Sequence, residues 1–358
     1  MINLRTGSSD RRAAGARRGL RLVALGALLV TGVVTACSGG GKTVQASSSG
    51  IRTVRIAQPF TSTLNSGLLD AIGQGYFKAH NIQVKFISVN NGAALQTTLG
   101  GSADMALASG VLPLTALNQG QQFKVFAQIG SGFPESVIIS TDAYKSSGLT
   151  DASTFQQKMQ FLAGKPFGVS SPSGSTVFEM RYLFKLAGLP ESDFNMVTLG
   201  SGDGILAALK SHKVVAGSIG SPYPQVAESD GYAKILISVT GGEVPQLKNT
   251  LTSVLVVTPQ FYAKNTALLN DFKAALAEGQ KYVYDQPTES DDYVWSTYFK
   301  TSPKTAILEG LTAQRAGKSI STAPAIDPTA AQNLVTFMKA TGQAVPDSWR
   351  TIFPDLSS

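Results

Sequence analysis

Seven consecutive residues, Ser170-Ser171-Pro172-Ser173-Gly174-Ser175-Thr176, carry four serines and one threonine just ahead of an apolar segment with helical spacing. The chemistry such a run can do is binding. A helix start leaves backbone N–H groups unpaired at the positive end of the helix dipole, and the hydroxyls add further donors. An oxyanion whose single charge is spread over several oxygens needs several donors rather than one buried cation. No basic residue stands between Ser170 and Glu179. Serine and threonine also cap helices, but five hydroxyls in seven residues exceed what a cap requires. Ser171, Ser173, Gly174, Ser175 and Thr176 are therefore candidate ligand contacts.

Similar short loops follow other predicted strands. Gln58-Pro59-Phe60 offers an amide and an aromatic wall, and Asn90-Asn91-Gly92 precedes a helix. Ser109-Gly110 follows a strand, Gly132-Phe133 sits at a predicted domain passage, and Ser221-Pro222-Tyr223 follows another strand. Each alone reads as an ordinary turn. Their shared place after strands makes Gln58, Phe60, Asn91, Ser109, Gly110, Phe133, Ser221 and Tyr223 candidates as a set. Asp203 opens a helix and is expected to cap it rather than meet an anion. No GxSxG, HExxH or CxxC pattern occurs, and the two histidines, His80 and His212, lie in different blocks. Catalysis is not expected, nor is a cofactor or a transition-metal site.

Cys37 is the single cysteine of the 358 residues. Arginines 5, 11, 12, 17, 18 and 21 precede an apolar run from Leu22 to Ala36, and Val34-Thr35-Ala36 lead into the cysteine. A span of about 15 apolar residues is short for a membrane crossing, which takes roughly 20. The order of basic stretch, short apolar run, small residues and cysteine resembles a bacterial lipoprotein signal. That resemblance implies a signal peptide over 1–36, an acylated Cys37 and an anchor in the cell membrane facing outward. Ser38 to Gly50, rich in Ser and Gly, then reads as a tether over 37–50. Arg17-Arg18 is also compatible with twin-arginine export.

Charge follows from this division. The formal net charge of +7 owes six arginines to the leader, and the remainder holds 24 basic against 22 acidic residues, a formal +2. A nucleic-acid surface is not supported. Cysteine is absent beyond Cys37, so no disulfide framework is available. The body is long enough for two hydrophobic cores.

Its pattern alternates short apolar runs with amphipathic segments. Strands are predicted at Val54–Ala57, Ile82–Val89, Met105–Ala108, Phe123–Ile129 and Val137–Ser140, with helices over Leu64–Ala79, Ala93–Leu99 and Leu112–Asn118. The rhythm repeats with strands at Phe167–Val169, Met196–Leu199, Val214–Ile219 and Ile235–Val239, and helices at Thr176–Ala187 and Ile205–Ser211. After Leu251–Thr258 the chain is mostly helical. Two such blocks predict an α/β protein of two lobes, each an open, mostly parallel sheet flanked by helices. The expected division is 51–140 and 245–358 for lobe 1 and 141–244 for lobe 2, joined by two passages near Gly130–Thr141 and Gly241–Thr258. Open parallel sheets bind ligands beyond the carboxyl ends of their strands. The aromatic set Tyr282, Tyr284, Tyr293, Trp295, Tyr298 and Phe299 is expected to pack within the helices.

Two blocks carry a family resemblance. The first runs through Gly75-Tyr76-Phe77-Lys78, Asn81-Ile82-Gln83-Val84 and Gly101-Ser102-Ala103-Asp104-Met105-Ala106. The second joins Leu162-Ala163-Gly164-Lys165-Pro166-Phe167-Gly168-Val169, Gly174-Ser175-Thr176, Leu186-Ala187-Gly188-Leu189 and Ala207-Ala208-Leu209-Lys210-Ser211. Their order, behind a lipoprotein-like signal, resembles the solute-binding proteins of ABC importers for sulfonates, taurine and nitrate. The resemblance implies a type II periplasmic-binding-protein fold, no catalysis, a monomer, and permease and ATPase partners. It implies a small anionic solute, with an aliphatic sulfonate such as taurine favoured. Nitrate, bicarbonate, an aromatic carboxylate or a pyrimidine are alternatives, as is a small-molecule enzyme on the same fold. Asn81 and His212 stand where such proteins usually have glycine, so both are expected at positive φ. Ser221 stands where they commonly have an aromatic residue.

Overall fold

The computed structural model describes residues 43–59, 61–89, 93–172 and 174–356. Cys37 and its leader lie outside the described residues, as do Phe60, Asn91 and Ser173. The first block is β1 (Arg52–Gln58), α1 (Ser66–Gly73), α2 (Tyr76–Ala79), β2 (Ile82–Ser88), α3 (Ala94–Leu99), β3 (Met105–Ser109), α4 (Val111–Asn118) and β4 (Lys124–Ser131). The second is β5 (Glu135–Ser140), α5 (Thr141–Ser147), α6 (Phe155–Leu162), β6 (Phe167–Val169), α7 (Ser175–Leu186), β7 (Met196–Thr198), α8 (Gly202–Lys210), β8 (Ala216–Gly220), α9 (Tyr223–Ser229) and β9 (Ala233–Ile237). The chain then returns through β10 (Leu251–Val257) and closes with α10 (Pro259–Lys264), α11 (Thr266–Asp285), α12 (Pro287–Tyr298), α13 (Lys304–Ala316) and α14 (Pro328–Ala340).

These strands form two five-stranded sheets, ordered β2-β1-β3-β10-β4 and β7-β6-β8-β5-β9. The pattern is the same in both. β1, β2 and β3 pair in parallel, as do β6, β7 and β8, and one antiparallel strand separates β3 from β4 and β8 from β9. In each sheet the antiparallel strand, β10 or β5, enters directly from a passage between the sheets. Apolar runs such as Leu255-Val256-Val257 and Val137-Ile138-Ile139 are buried throughout, as strands covered on both faces must be.

Three sequence expectations are corrected. β5 pairs with β8 and β9, so the first boundary between sheets falls at 132–134 rather than after residue 140. The second passage is 238–250, ending before β10. The single helix expected over Leu64–Ala79 is a one-turn segment at Thr63–Asn65 followed by α1 and α2, broken where Gly75 adopts φ 80°. A left-handed residue cannot continue an α-helix, and glycine adopts it without strain. Asn81 and His212 do take positive φ, 55° and 56°.

The C-terminal helices do more than complete the first sheet. α13 packs both on the Thr63–Asn65 turn and on α9. α14 packs on β10 and on α7, with Phe337 against Phe133 and Tyr182 at ring distances of 4.7 and 5.5 Å. One apolar cluster accordingly runs from Ala57 and Leu114 through Phe133 and Phe337 to Phe167 and Leu183. The late aromatic residues pack as expected, Tyr284, Tyr293, Trp295, Tyr298 and Phe299 around Leu64, Leu69 and Val294. Among the described residues no helix is long and apolar enough to cross a membrane.

Candidate functional site

The two sheets present their carboxyl ends to each other. β4 ends at Ser131 and β5 begins at Glu135, and three intervening residues span at most about 10 Å. Glu135 pairs with Gly220, the last residue of β8. The carboxyl end of a lobe-1 strand therefore meets the carboxyl end of a lobe-2 strand. The second passage meets them too, with the Thr240 N–H donating to the Glu135 carbonyl at 3.0 Å and Leu251 pairing with Ser131. Of the loops singled out in the sequence, three adjoin this junction: Gly110 donates to the Thr252 carbonyl, Gly132 to that of Thr250 and Ser221 to that of Pro134.

On the lobe-1 side, Gln58 is buried and donates from Nε2 to Thr61 Oγ1 at 3.2 Å. Ser109 is half-buried and its Oγ accepts the Val111 N–H at 3.3 Å. Two expected contacts have structural duties instead. A Cβ on Gly110 would lie 2.2 Å from the Leu251 carbonyl oxygen, so glycine here lets α4 start against β10. The ring of Phe133 is 2% exposed and is taken up by the core against Phe337.

On the lobe-2 side, Gly174 is the cap residue of α7 and is extended, and as a glycine it brings no side-chain cap of its own. Ser171 is half-buried and Thr176 is buried. Ser175 is the first helical residue, and its hydroxyl lies close enough to the Glu135 carboxyl group to favour the charged form. Ser221 is 5% exposed, and its Oγ has no partner. Tyr223 is exposed and stands over the start of α8, where a Cβ on Gly202 would lie 3.2 Å from its ring. The cap of α8 is Ser201, which accepts the Gly204 N–H at 3.1 Å; Asp203 lies in the first turn, correcting its expected capping role.

Sequence reasoning missed two acids. Glu135 opens β5, and Glu179 lies on the buried stripe of α7 that includes Thr176, Met180 and Leu183. The available signal was an acid at core spacing in an apolar helix. Burial pushes Glu135 up to about 7, against its own backbone N–H and the Ser175 hydroxyl, which favour the charged form. Burial and the Glu135 charge hold Glu179 well above the ordinary carboxylate range, with the Ser218 hydroxyl opposing. Also missed were buried polar atoms without partners among the described residues where α13 meets the Thr63–Asn65 turn and α9: Thr63 Oγ1, Gln225 Oε1 and both amide atoms of Gln314. An unpaired buried polar group costs about 1–3 kcal/mol, so a cluster of them marks a place built to receive hydrogen bonds. Among the described residues no group of three or more His, Cys, Asp or Glu is arranged to hold a metal ion.

Two open sheets with one strand order, joined by two passages and facing across their carboxyl ends, define a two-lobed α/β binding fold. Solved structures share it. A ligand-binding component of an ABC-type import system from Staphylococcus aureus, determined with zinc bound, matches with TM-score 0.66 and 15% identity over 85% of this chain and 97% of that one. The alkanesulfonate-binding protein SsuA from Xanthomonas axonopodis pv. citri, bound to MOPS, matches with TM-score 0.63 and 14% identity over 84% and 97%. The periplasmic nitrate-binding protein NrtA from Synechocystis PCC 6803 matches with TM-score 0.63 and 13% identity over 85% and 86%. The fold is that of the periplasmic binding proteins. The NMT1-like family model matches residues 57–295, and the chain belongs to that family. No curated protein matches the sequence.

Proposed function

We propose that the chain is the extracytoplasmic substrate-binding lipoprotein of an ABC importer, holding a small solute with an acid head group between its two lobes. The observation that carries this reading is the junction of strand ends. The start of α7 and Ser221 supply donors from the second sheet and Gln58 from the first, and Ser221 Oγ and Gln225 Oε1 have no partner among the described residues. Solved relatives in shape include an import-system component, an alkanesulfonate-binding protein and a nitrate-binding protein, which supports transport over catalysis. An aliphatic sulfonate of the taurine type is the favoured solute. Three acceptor oxygens suit several neutral donors at a helix start. Cys37 would be acylated and become the mature N-terminus, and permease and ATPase subunits would receive the closed form.

A thermal-shift screen across sulfonates, carboxylates, inorganic anions and pyrimidines tests the reading. A saturable rise in melting temperature with an organic sulfonate supports it. A rise with a pyrimidine or an inorganic anion alone replaces the solute class and keeps the receptor.

A further inference from the structure

The cleft end of the second sheet holds an acid pair with no base to neutralise it. Residues directly opposite in an antiparallel pair share a face. Glu135 opposes Gly220 and Val137 opposes Ser218, so Glu135 and Ser218 point to one side of the sheet, the side that α7 covers with Glu179. From α7, the groups facing Glu135 are Ser175 and Glu179; from β8 it is Ser218; the second passage offers the Thr240 backbone N–H to the Glu135 carbonyl. No lysine, arginine or histidine among the described residues contributes to the electrostatics of either acid.

The acceptors exceed the donors. Glu135 Oε2 is shut from solvent and has no partner. Glu179 is 0% exposed, and neither of its oxygens has a well-formed hydrogen bond. The next strand end adds a further buried polar group. Ser221 follows Gly220, is 5% exposed, and its hydroxyl is also unpaired. Its N–H donates to the Pro134 carbonyl at 3.3 Å, which places it beside the residue that leads into Glu135. Among the described residues, a Cβ added at Gly220, opposite Glu135, would meet only the Pro134 carbonyl oxygen, at 3.8 Å. There is room at the strand end beside Glu135.

We propose that this end of the cleft receives a protonated nitrogen of the solute, an ammonium or amidinium N–H, on the Glu135 carboxylate, with Ser221 lining the same end. The proposal rests on reading the cleft as the solute site and deepens it: the solute carries a nitrogen cation as well as an acid head. It also reassigns Ser175. Its hydroxyl lies beside Glu135 and favours the ionised carboxylate that a cation would meet. Burial keeps the carboxyl group partly protonated near neutral pH. A cation captures the ionised form, so its binding strengthens as pH rises through about 7 and releases a proton below it. A plain anion would do the reverse, because it needs the carboxyl group protonated.

The test uses matched pairs that differ only at the nitrogen: taurine with 2-hydroxyethanesulfonate, β-alanine with 3-hydroxypropanoate, and benzamidine with benzamide. Each is titrated calorimetrically into the full chain and its Glu135→Gln variant at pH 6, 7 and 8. The nitrogen-bearing member of at least one pair should bind at least about tenfold more tightly than its counterpart, a gap on the scale of one charge-assisted hydrogen bond. Its affinity should rise with pH, and Glu135→Gln should erase both effects. Binding that favours the hydroxyl or amide member, or that weakens as pH rises, overturns the nitrogen claim and leaves the receptor reading standing. Silence from the wild type across all six overturns the nitrogen claim, and the wider thermal-shift screen then decides the receptor reading. Should Glu135→Gln fail to fold, the sign of the wild-type pH dependence decides the matter.

Discussion

Glu179 places an acid where α7 should have an apolar residue, and the consequence for stability has a definite sign. The folded state holds Glu135 and Glu179 above the ordinary carboxylate range, so it binds protons that the unfolded chain releases. Asp70 in the first lobe behaves alike. It is 0% exposed, burial raises it to about 7, and Ser290 donates to it at 2.6 Å. Stability contributed by these groups is fully present below their unfolded pKa values and is lost as pH rises through about 7. The ligand-free protein is expected to melt higher at pH 5 than at pH 8. Asp70→Asn should flatten that slope and stabilise the protein at pH 8 by an amount on the order of a few kcal/mol. Melting curves at the two pH values check it; an unchanged slope would show that Asp70 titrates normally. Phe133 gives the contrasting case. As a core residue, Phe133→Ala should cost about 3–5 kcal/mol of stability. Denaturant unfolding without any ligand measures that loss, and a variant as stable as wild type would return Phe133 to the cleft wall.

Among the elements, the start of α4 shows how closely the return strand is seated. Gly110→Ala would press a Cβ to 2.2 Å from the Leu251 carbonyl oxygen, so α4 or β10 has to move. Overpacking of this kind costs roughly 1–3 kcal/mol, to be read as a lowered melting temperature; no change would mean that the contact relaxes freely. The strands were mostly legible in sequence because buried strands are short, apolar and β-branched. Phe167–Val169 is found with its expected limits, and β2 ends one residue early. The helix over Leu64–Ala79 was over-extended because apolar spacing continues across Gly75, whose left-handed backbone stops it. The hydroxyl-rich start of α7 was legible for the same local reason that serines gather at helix starts. The Glu135–Glu179 pair was not, because it depends on register: Glu135 meets Gly220 across two strands and Glu179 through a helix laid over both. Nor does local pattern reveal that α13 bridges the Thr63–Asn65 turn and α9.

Seen as a whole, the molecule is two copies of one sheet topology sharing a seam, with α13 and α14 laid along it. Passages of unequal length, 132–134 and 238–250, cross that seam, and backbone hydrogen bonds from Gly132 to Thr250 and from Thr240 to Glu135 tie them together. Such a seam suits a hinge whose closure encloses a solute. Replacement of Cys37 by Ser, followed by cell fractionation, should move the protein from the membrane to the soluble fraction; continued membrane attachment would contradict lipid anchoring. The central claim is that solute binds among the facing strand ends, and Gly220 offers the most direct test. A Cβ there lies no nearer than 3.8 Å to the Pro134 carbonyl oxygen, and a larger side chain would extend from the strand end beside Glu135. Calorimetric titration of the wild type and Gly220→Phe with the best solute from the screen is the deciding measurement. The account predicts one-to-one binding by the wild type, and at least about a hundredfold loss, some 2.7 kcal/mol, in a variant that melts like wild type. Undiminished binding by the folded variant would contradict it and place the solute elsewhere.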